Sequence, residues 1–267
     1  MATFGSQADY YSGHAALYSD SQIRPRYPPE LFETIFSFAG TGADSALDVA
    51  TGTGQSARQL ATRYQQVWAV DANEEQIKQC RSHPRITFRK GCAESTGLPD
   101  SSVDLVTAAA ALHWLDCPAF YKEARRVLKP GGALAAWCYS LPQIKDCARA
   151  NKFFNEFWET KLGPHKADAH IIWERQYRGF EPGEDEFGVV ERATQTFEQK
   201  SSIWHLVAFI RTSGLYGKMV KETPGQPDPL PLFSEQLISI LNAADDSMEL
   251  TLEYPVFMIL AKDPMPL

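Results

Sequence analysis

No stretch of this 267-residue chain approaches 18 consecutive apolar residues, so no membrane-spanning helix is expected. Residues Met1 to Asp9 lack a basic segment followed by an apolar core, so no secretory leader is expected. Basic residues are in the minority. Lys and Arg number 26 against 33 Asp and Glu, for a net charge of −7. That sign argues against a nucleic-acid partner, which calls for a basic footprint. Cysteine is scarce as well. Cys80, Cys92, Cys117, Cys138 and Cys147 are odd in number and lack metal-type spacing. They read as reduced thiols, and a cytoplasmic location is expected. No repeat, low-complexity tract or acid-and-histidine cluster stands out, so no metal is expected. The length suits one domain with a cap, or two small lobes. A monomer and a homodimer are both compatible with it.

What is present begins with Ala-Leu-Asp-Val-Ala-Thr-Gly-Thr-Gly at 46–54, with Asp71 following Val67-Trp68-Ala69-Val70, 17 residues after Gly54. This is the pattern of a strand, a tight glycine turn, a helix, a second strand and a strand-end acid. Doubly wound α/β domains hold nucleosides this way, the acid accepting from the ribose hydroxyls. Glycine lets the backbone approach a ligand where a Cβ would collide. A dinucleotide site would carry a third glycine where Ala57 stands. Asp48 would also repel a pyrophosphate and suit an ammonium group. Both features favour S-adenosylmethionine over NAD.

The surrounding pattern predicts a parallel sheet. Pro28-Pro29 opens a helix striped by Leu31, Phe32, Ile35 and Phe36 and ended by Gly40. Strands are expected at 46–49, 67–70, 86–89, 104–108 and 133–137. The helices between them are 55–64, one capped by Asn73 with Gln76 as its capping-box partner, and one from Asp116 to about Leu128. Lys129-Pro130-Gly131-Gly132 reads as a turn. Beyond Tyr139 the expectation is helix at 144–162, a solvated loop at 179–188 and a strand at 189–199. Helix 202–220, a loop at 222–232, helix 233–242 and a strand at 249–261 follow.

The chain resembles the class I S-adenosylmethionine-dependent methyltransferases. Within them it looks like the small-molecule subgroup of trans-aconitate-type and cantharidin-type enzymes. The resemblance rests on Asp48 to Gln55, Val70-Asp71-Ala72-Asn73, Gly91-Cys92-Ala93-Glu94 and Leu98 to Val106. It continues through Ala111-Leu112-His113-Trp114, Arg126 to Gly132, and the N-terminal run from Tyr18 to Pro28. It covers about residues 4–140 well and the remainder weakly. It implies a Rossmann-like α/β fold, a mostly parallel seven-stranded sheet with helices on both faces. Residues 1–28 would form a lid and 29–140 the cofactor-binding core. Residues 141–267 would supply cap helices and the last two strands. Two departures stand out: Ala50 replaces the usual glycine, and Cys92 an acid often found beside adenine.

The cofactor side would comprise Tyr18, Arg24, Asp48, Ala50, Gly52, Gly54, Gln55, Asp71, Ala72, Ala93, Glu94, Ala109 and His113. Arg24, held extended by Pro25, would pair with the cofactor carboxylate. Asp48 would hold the ammonium directly or through water. On the substrate side stand Tyr11, Trp114, Tyr139 and Trp173, and His113 is the candidate base or orienting residue. The expected reaction is O-methylation of a small carboxylic acid or hydroxyl compound. A carboxylate needs no base, whereas a hydroxyl calls on His113. Rival readings are methylation at N, S or C, a NAD-dependent oxidoreductase, and a cofactor-binding module without catalysis. The absence of an Asn/Asp-Pro-Pro-Tyr/Phe tetrapeptide after the fourth strand argues against amide or base N-methylation.

Overall fold

The structure is a computed structural model and describes residues 23–267. Tyr11, Tyr18 and most of the expected lid lie outside the described residues. Eight strands form one sheet: β1 Ser45–Val49, β2 Gln66–Asp71, β3 Ile86–Lys90, β4 Val103–Ala109, β5 Leu128–Tyr139, β6 Gln143–Ile144, β7 Phe187–Ser202 and β8 Glu249–Pro264. The helices are α1 Pro29–Ala39, α2 Gln55–Leu60, α3 Glu74–Lys78, α4 Cys117–Val127, α5 Ala148–Phe157, α6 Asp168–Glu174, α7 Ile203–Arg211, α8 Gly214–Glu222 and α9 Leu230–Leu241.

The order across the sheet is β3-β2-β1-β4-β5-β8, with the two-residue β6 and the edge strand β7 both pairing with β8. The first five strands are mutually parallel. β8 runs antiparallel to β5, and β7 runs antiparallel to β8 along its whole length. The chain order reverses between β1 and β4. Doubly wound sheets bind ligands at such a switch point, beyond the strand C-termini.

Strict alternation along β5 and β8 makes the sheet two-sided. Ala133, Ala135, Trp137 and Tyr139 face one core, together with Tyr254, Val256, Met258 and Leu260. Leu134, Ala136 and Cys138 face the other, together with Phe257, Ile259 and Ala261. On the first face α1 delivers Leu31, Phe32 and Ile35, and the rings of Tyr27 and Phe32 meet Trp137 edge-on at 5.6 and 5.7 Å. The cap helices α5, α7, α8 and α9 join this same core through Phe154, Leu206, Leu215 and Phe233. The cap is therefore continuous with the sheet rather than a separately packed lobe. On the second face α4 buries Phe120, Tyr121, Ala124 and Val127. Asp116 caps it by accepting from the Ala119 N–H.

Several expected boundaries shift, each for a local reason. The helix expected over 202–220 is two helices. The Ser213 hydroxyl caps the second by accepting from the Tyr216 N–H, and Gly214 follows at its start. Thr-Ser-Gly is a stop-and-restart signal embedded in apolar periodicity. The last helix begins at Leu230, earlier than expected, because Pro231 fits its first turn and Asp228 accepts from the Leu230 N–H. The turn at Lys129–Gly132 is carried inside β5. Val103 pairs with Leu128 and Leu105 with Ala133, so the intervening residues bulge out. Asn73 caps α3 by accepting from the Glu75 N–H, while Gln76 is buried rather than closing a capping box. The helix expected to reach Tyr64 ends at Leu60 in tighter turns. The one expected over 144–162 begins at Ala148, after β6.

Gly54 caps α2 at φ +86°, and a Cβ there would stand 2.6 Å from the Phe88 ring on β3. Its glycine requirement is set by packing. Gly54→Ala is expected to lower stability by about 2 kcal/mol or more in chemical denaturation, from strained φ and steric overlap together. Adding Phe88→Leu should recover part of that loss.

Candidate active site

The turn after β1 is held from both sides by buried carboxylates. Asp71, at the end of β2, accepts the Gly52 N–H on Oδ2 and the Asn73 N–H on Oδ1, both at 2.8 Å. Burial pushes its pKa up, and those two amides hold it down. Asp48, fully buried, accepts from the hydroxyls of Thr51 at 2.6 Å and Thr107 at 2.7 Å. Burial raises its pKa to about 6 against the pull of these hydroxyls. Both Asp48 oxygens are thus engaged in pinning the turn to β1 and β4.

The turn itself needs left-handed backbone. Ala50 stands at φ +50°, Gly52 at +58° and Gly54 at +86°. Nothing lies within 4 Å of where a Gly52 Cβ would stand, so this turn opens into free space. Ala50 accepts strain that glycine would avoid, of about 1 kcal/mol. Ala110, just past the end of β4, is held at φ +51° with its N–H donating to the Trp137 carbonyl at 2.7 Å. Two strained alanines therefore end the two strands that flank the switch point. Such strain gathers at functional sites.

Above this point lies a cleft of about 390 Å³. Of the residues expected on the cofactor side, Arg24, Asp48, Ala50, Gly52, Gln55, Asp71 and Ala109 line it. The described part of the N-terminal segment forms one wall, anchored where the Gln55 side-chain amide donates to the Pro25 carbonyl at 3.2 Å. A second cavity of about 80 Å³ adjoins it, and both are lined by Arg24, Ala110 and Tyr139. His113, Trp114 and Trp173 line the second cavity together with His170, Trp158 and Phe209. Arg24 spans both. Its guanidinium donates to the Thr212 carbonyl at 2.5 Å, reaches the Tyr139 hydroxyl at 3.4 Å and lies over the Phe209 ring at 4.9 Å.

Four expected residues line neither cavity: Gly54, Ala72, Ala93 and Glu94. Gly54 packs on Phe88, and Ala93 is buried in the second core. Ala72 is exposed. The Glu94 carboxylate takes the Cys92 thiol at 2.5 Å and the Asp116 N–H at 3.1 Å.

His113 differs most from its expected part as a base. Its Nδ1 lies 2.8 Å from the hydroxyl of Tyr177, which is fully buried. Burial and the nearby His170 lower the His113 pKa to about 3. A neutral imidazole so hard to protonate is a poor general base. His170 accepts the Ala167 N–H on its own Nδ1 at 3.1 Å, and burial lowers its pKa to about 4. Neutral His170 therefore carries its proton on Nε2. The placement of His170 and Ala110 was not legible in the sequence, because neither periodicity nor spacing marks a residue that reaches the site through a distant helix or a strand end.

The pKa of His113 makes a stability prediction. The unfolded state binds its proton near pH 6.5 and the folded state only near pH 3. Stability from this residue is complete above pH 6.5 and is lost as pH falls toward 3. In urea titrations at pH 7 and pH 5, His113→Gln should lose less stability on acidification than the parent. The difference should approach, at most, about 1.4 kcal/mol per pH unit. Parallel losses would show that the imidazole titrates normally.

The sequence and the fold are similar to those of known proteins. The family described as "Methyltransferase domain" matches residues 47–136. A Dictyostelium discoideum protein named "Putative methyltransferase" is 30% identical over 246 residues, covering 91% of this chain and 92% of its own length. A Saccharomyces cerevisiae protein named "Probable S-adenosylmethionine-dependent methyltransferase" is 23% identical over 272 residues, covering 91% and 94%. The solved structure of a "Putative Type II Methyltransferase" from Anaeromyxobacter dehalogenans superposes with a TM-score of 0.79 at 28% identity, covering 91% of this chain and 99% of that one. The chain belongs to the class I S-adenosylmethionine-dependent methyltransferases.

Proposed function

We propose that this methyltransferase acts on a small molecule and methylates oxygen, on a carboxylic acid in preference to a hydroxyl. The observation that carries this reading is the chemistry of the second cavity. Among the described residues that line it, Arg24 bears the one full charge and no carboxylate is present. Much of the rest of its wall is aromatic, with N–H groups from His113, His170, Trp114 and Trp158, while the Trp173 indole donates to the Tyr139 carbonyl at 2.8 Å. A wall of donors and one cation suits an anionic group on a compact apolar body. A hydroxyl acceptor would have to lose a proton, and His113, its pKa near 3, is a weak recipient.

The larger cleft fits the cofactor on its own chemistry. Each Asp71 oxygen accepts one backbone N–H, and a carboxylate offers about four acceptor sites, so capacity for two ribose hydroxyls remains. Gly52 offers open space at positive φ, and Gln55 and Ala109 line the same cleft. Arg24 lines both cavities, so its one guanidinium is shared between the cofactor carboxylate and the acceptor, and Asp48 supplies negative potential for an ammonium group through a turn it already fixes. When bound, S-adenosylmethionine supplies a methyl group activated by its sulfonium for in-line transfer. The residues have little bond chemistry left to perform. Arg24, His113 and Tyr139 orient the acceptor, and the aromatic wall excludes water. Either a monomer or a homodimer is compatible with this reading.

Transfer of labelled methyl to a panel of short apolar carboxylic acids, with matched alcohols and phenols, tests the acceptor. The expected product is an ester that releases labelled methanol on alkaline treatment. A base-stable product would be an ether and would overturn the preference for acids. Asp71→Ala is expected to weaken S-adenosylhomocysteine binding at least about tenfold by calorimetry, since ribose hydroxyls would lose their acceptor. Unchanged affinity would remove Asp71 from the cofactor site.

A further inference from the structure

Tyr177 reaches the second cavity's wall by an unusual backbone route. Gln176 and Tyr177 stand in succession at φ +56° and +61°. Left-handed backbone at a bulky aromatic residue persists only where its surroundings impose it. Here they do so from several sides. The Arg192 guanidinium, from edge strand β7, donates to the Gln176 carbonyl and also pairs with Glu181. The Tyr177 N–H donates to the Ile172 carbonyl at 3.2 Å, and the Phe180 N–H donates to the Tyr177 carbonyl at 3.0 Å. The ring packs edge-on against Phe257, with centroids 5.0 Å apart. This arrangement delivers one polar atom, the phenol oxygen, to Nδ1 of His113.

We propose that Tyr177 is a positioning residue whose hydroxyl donates to His113 Nδ1, holding the imidazole in the Nε2–H tautomer as a fixed hydrogen-bond donor in the wall of the second cavity. The direction follows from relative acidity. A phenol O–H is a stronger acid than the N–H of a neutral imidazole, and an imidazole nitrogen is a stronger base than a phenol oxygen. Cys138 competes with His113 for the phenol proton, but a neutral thiol is a far weaker acceptor than an imidazole nitrogen, so the proton goes to Nδ1. His170 and Arg24 share the cavity wall. Among the described residues lining that cavity there is no carboxylate, the usual partner that accepts an Nδ1–H and leaves Nε2 bare. A phenol in that place reverses the polarity of the ring. The consequence for catalysis rests on the methyl-transfer reading above: His113 orients an acceptor by donating to it, and takes no proton from it. The tautomer itself does not depend on that reading.

Long-range 15N–1H spectra of the uniformly labelled protein test the proposal, with His113 assigned by its loss in His113→Gln. The expected wild-type pattern at pH 7 is protonated Nε2 and bare Nδ1. Tyr177→Phe keeps the ring against Phe257 and removes the hydroxyl. It should give a mixture of tautomers and a kcat reduced by about tenfold or more, with cofactor affinity preserved. An Nδ1–H pattern in the wild type would overturn the proposal, as would an unchanged spectrum in Tyr177→Phe. If Tyr177→Phe does not fold, the wild-type spectrum decides alone. The spectra need no substrate, so a failed search for the methyl acceptor leaves this outcome readable.

Discussion

The carboxylate of Asp71 organises the site because it joins two strands through the turn that separates them. It lies at the end of β2 and accepts the N–H of Gly52 from the turn after β1. The adjacent Asn73 N–H fixes its rotamer. Buried peptide N–H groups are costly to leave unpaired, and a buried carboxylate is costly without donors. Each group therefore needs the other, and the ligand-facing curve of the turn follows. Asp48 does the same on the other side, binding Thr51 in the turn and Thr107 in β4. Together the two acids tie β1, β2 and β4 to one loop at the reversal of strand order.

Polar demand is distributed unevenly between the cavities, and this gives the molecule its chemical division. Acid and cation both line the larger cleft, which suits a zwitterionic nucleoside. The smaller cavity is lined by N–H groups and aromatic rings, with Arg24 common to both. Arg24 occupies that place through tertiary contacts. Its anchors are Thr212 and Phe209 in the cap and Tyr139 at the end of β5. The cap and the sheet thus meet on one guanidinium, and the shared hydrophobic core beneath it keeps them in register.

Left-handed backbone marks the same region. Ala50 and Ala110 end neighbouring strands at the cleft, and Gln176-Tyr177 carries the phenol to His113. The first two positions have the smallest side chain that still feels the strain. The third is held by an arginine from the edge strand and by the packed ring. Gly54 belongs to a different category. Its φ is also positive, but the contact with Phe88 makes its glycine a matter of helix-on-sheet packing.

The alternation of strands and helices through β5, and the glycine turn flanked by Asp48 and Asp71, could be read from the sequence. These features are local. Strand periodicity, glycine at positive φ and an acid at a strand end act over a few residues, so their spacing reports them directly. The break at Thr212-Ser213 and the bulge within β5 are local too, but their signals lie inside longer periodic runs that mask them. Packing across the fold sets Gly54 against Phe88, engages Glu94 with Cys92 and Asp116, and brings His113 to Tyr177 across 64 residues. Burial lowers the His113 pKa and hydrogen bonding selects a tautomer, and both depend on which distant side chains share a volume. Residue spacing carries no record of that, so it pointed to Asp71 in the cleft and to Trp114, Tyr139 and Trp173 in the second cavity, but not to the partners that set their chemistry.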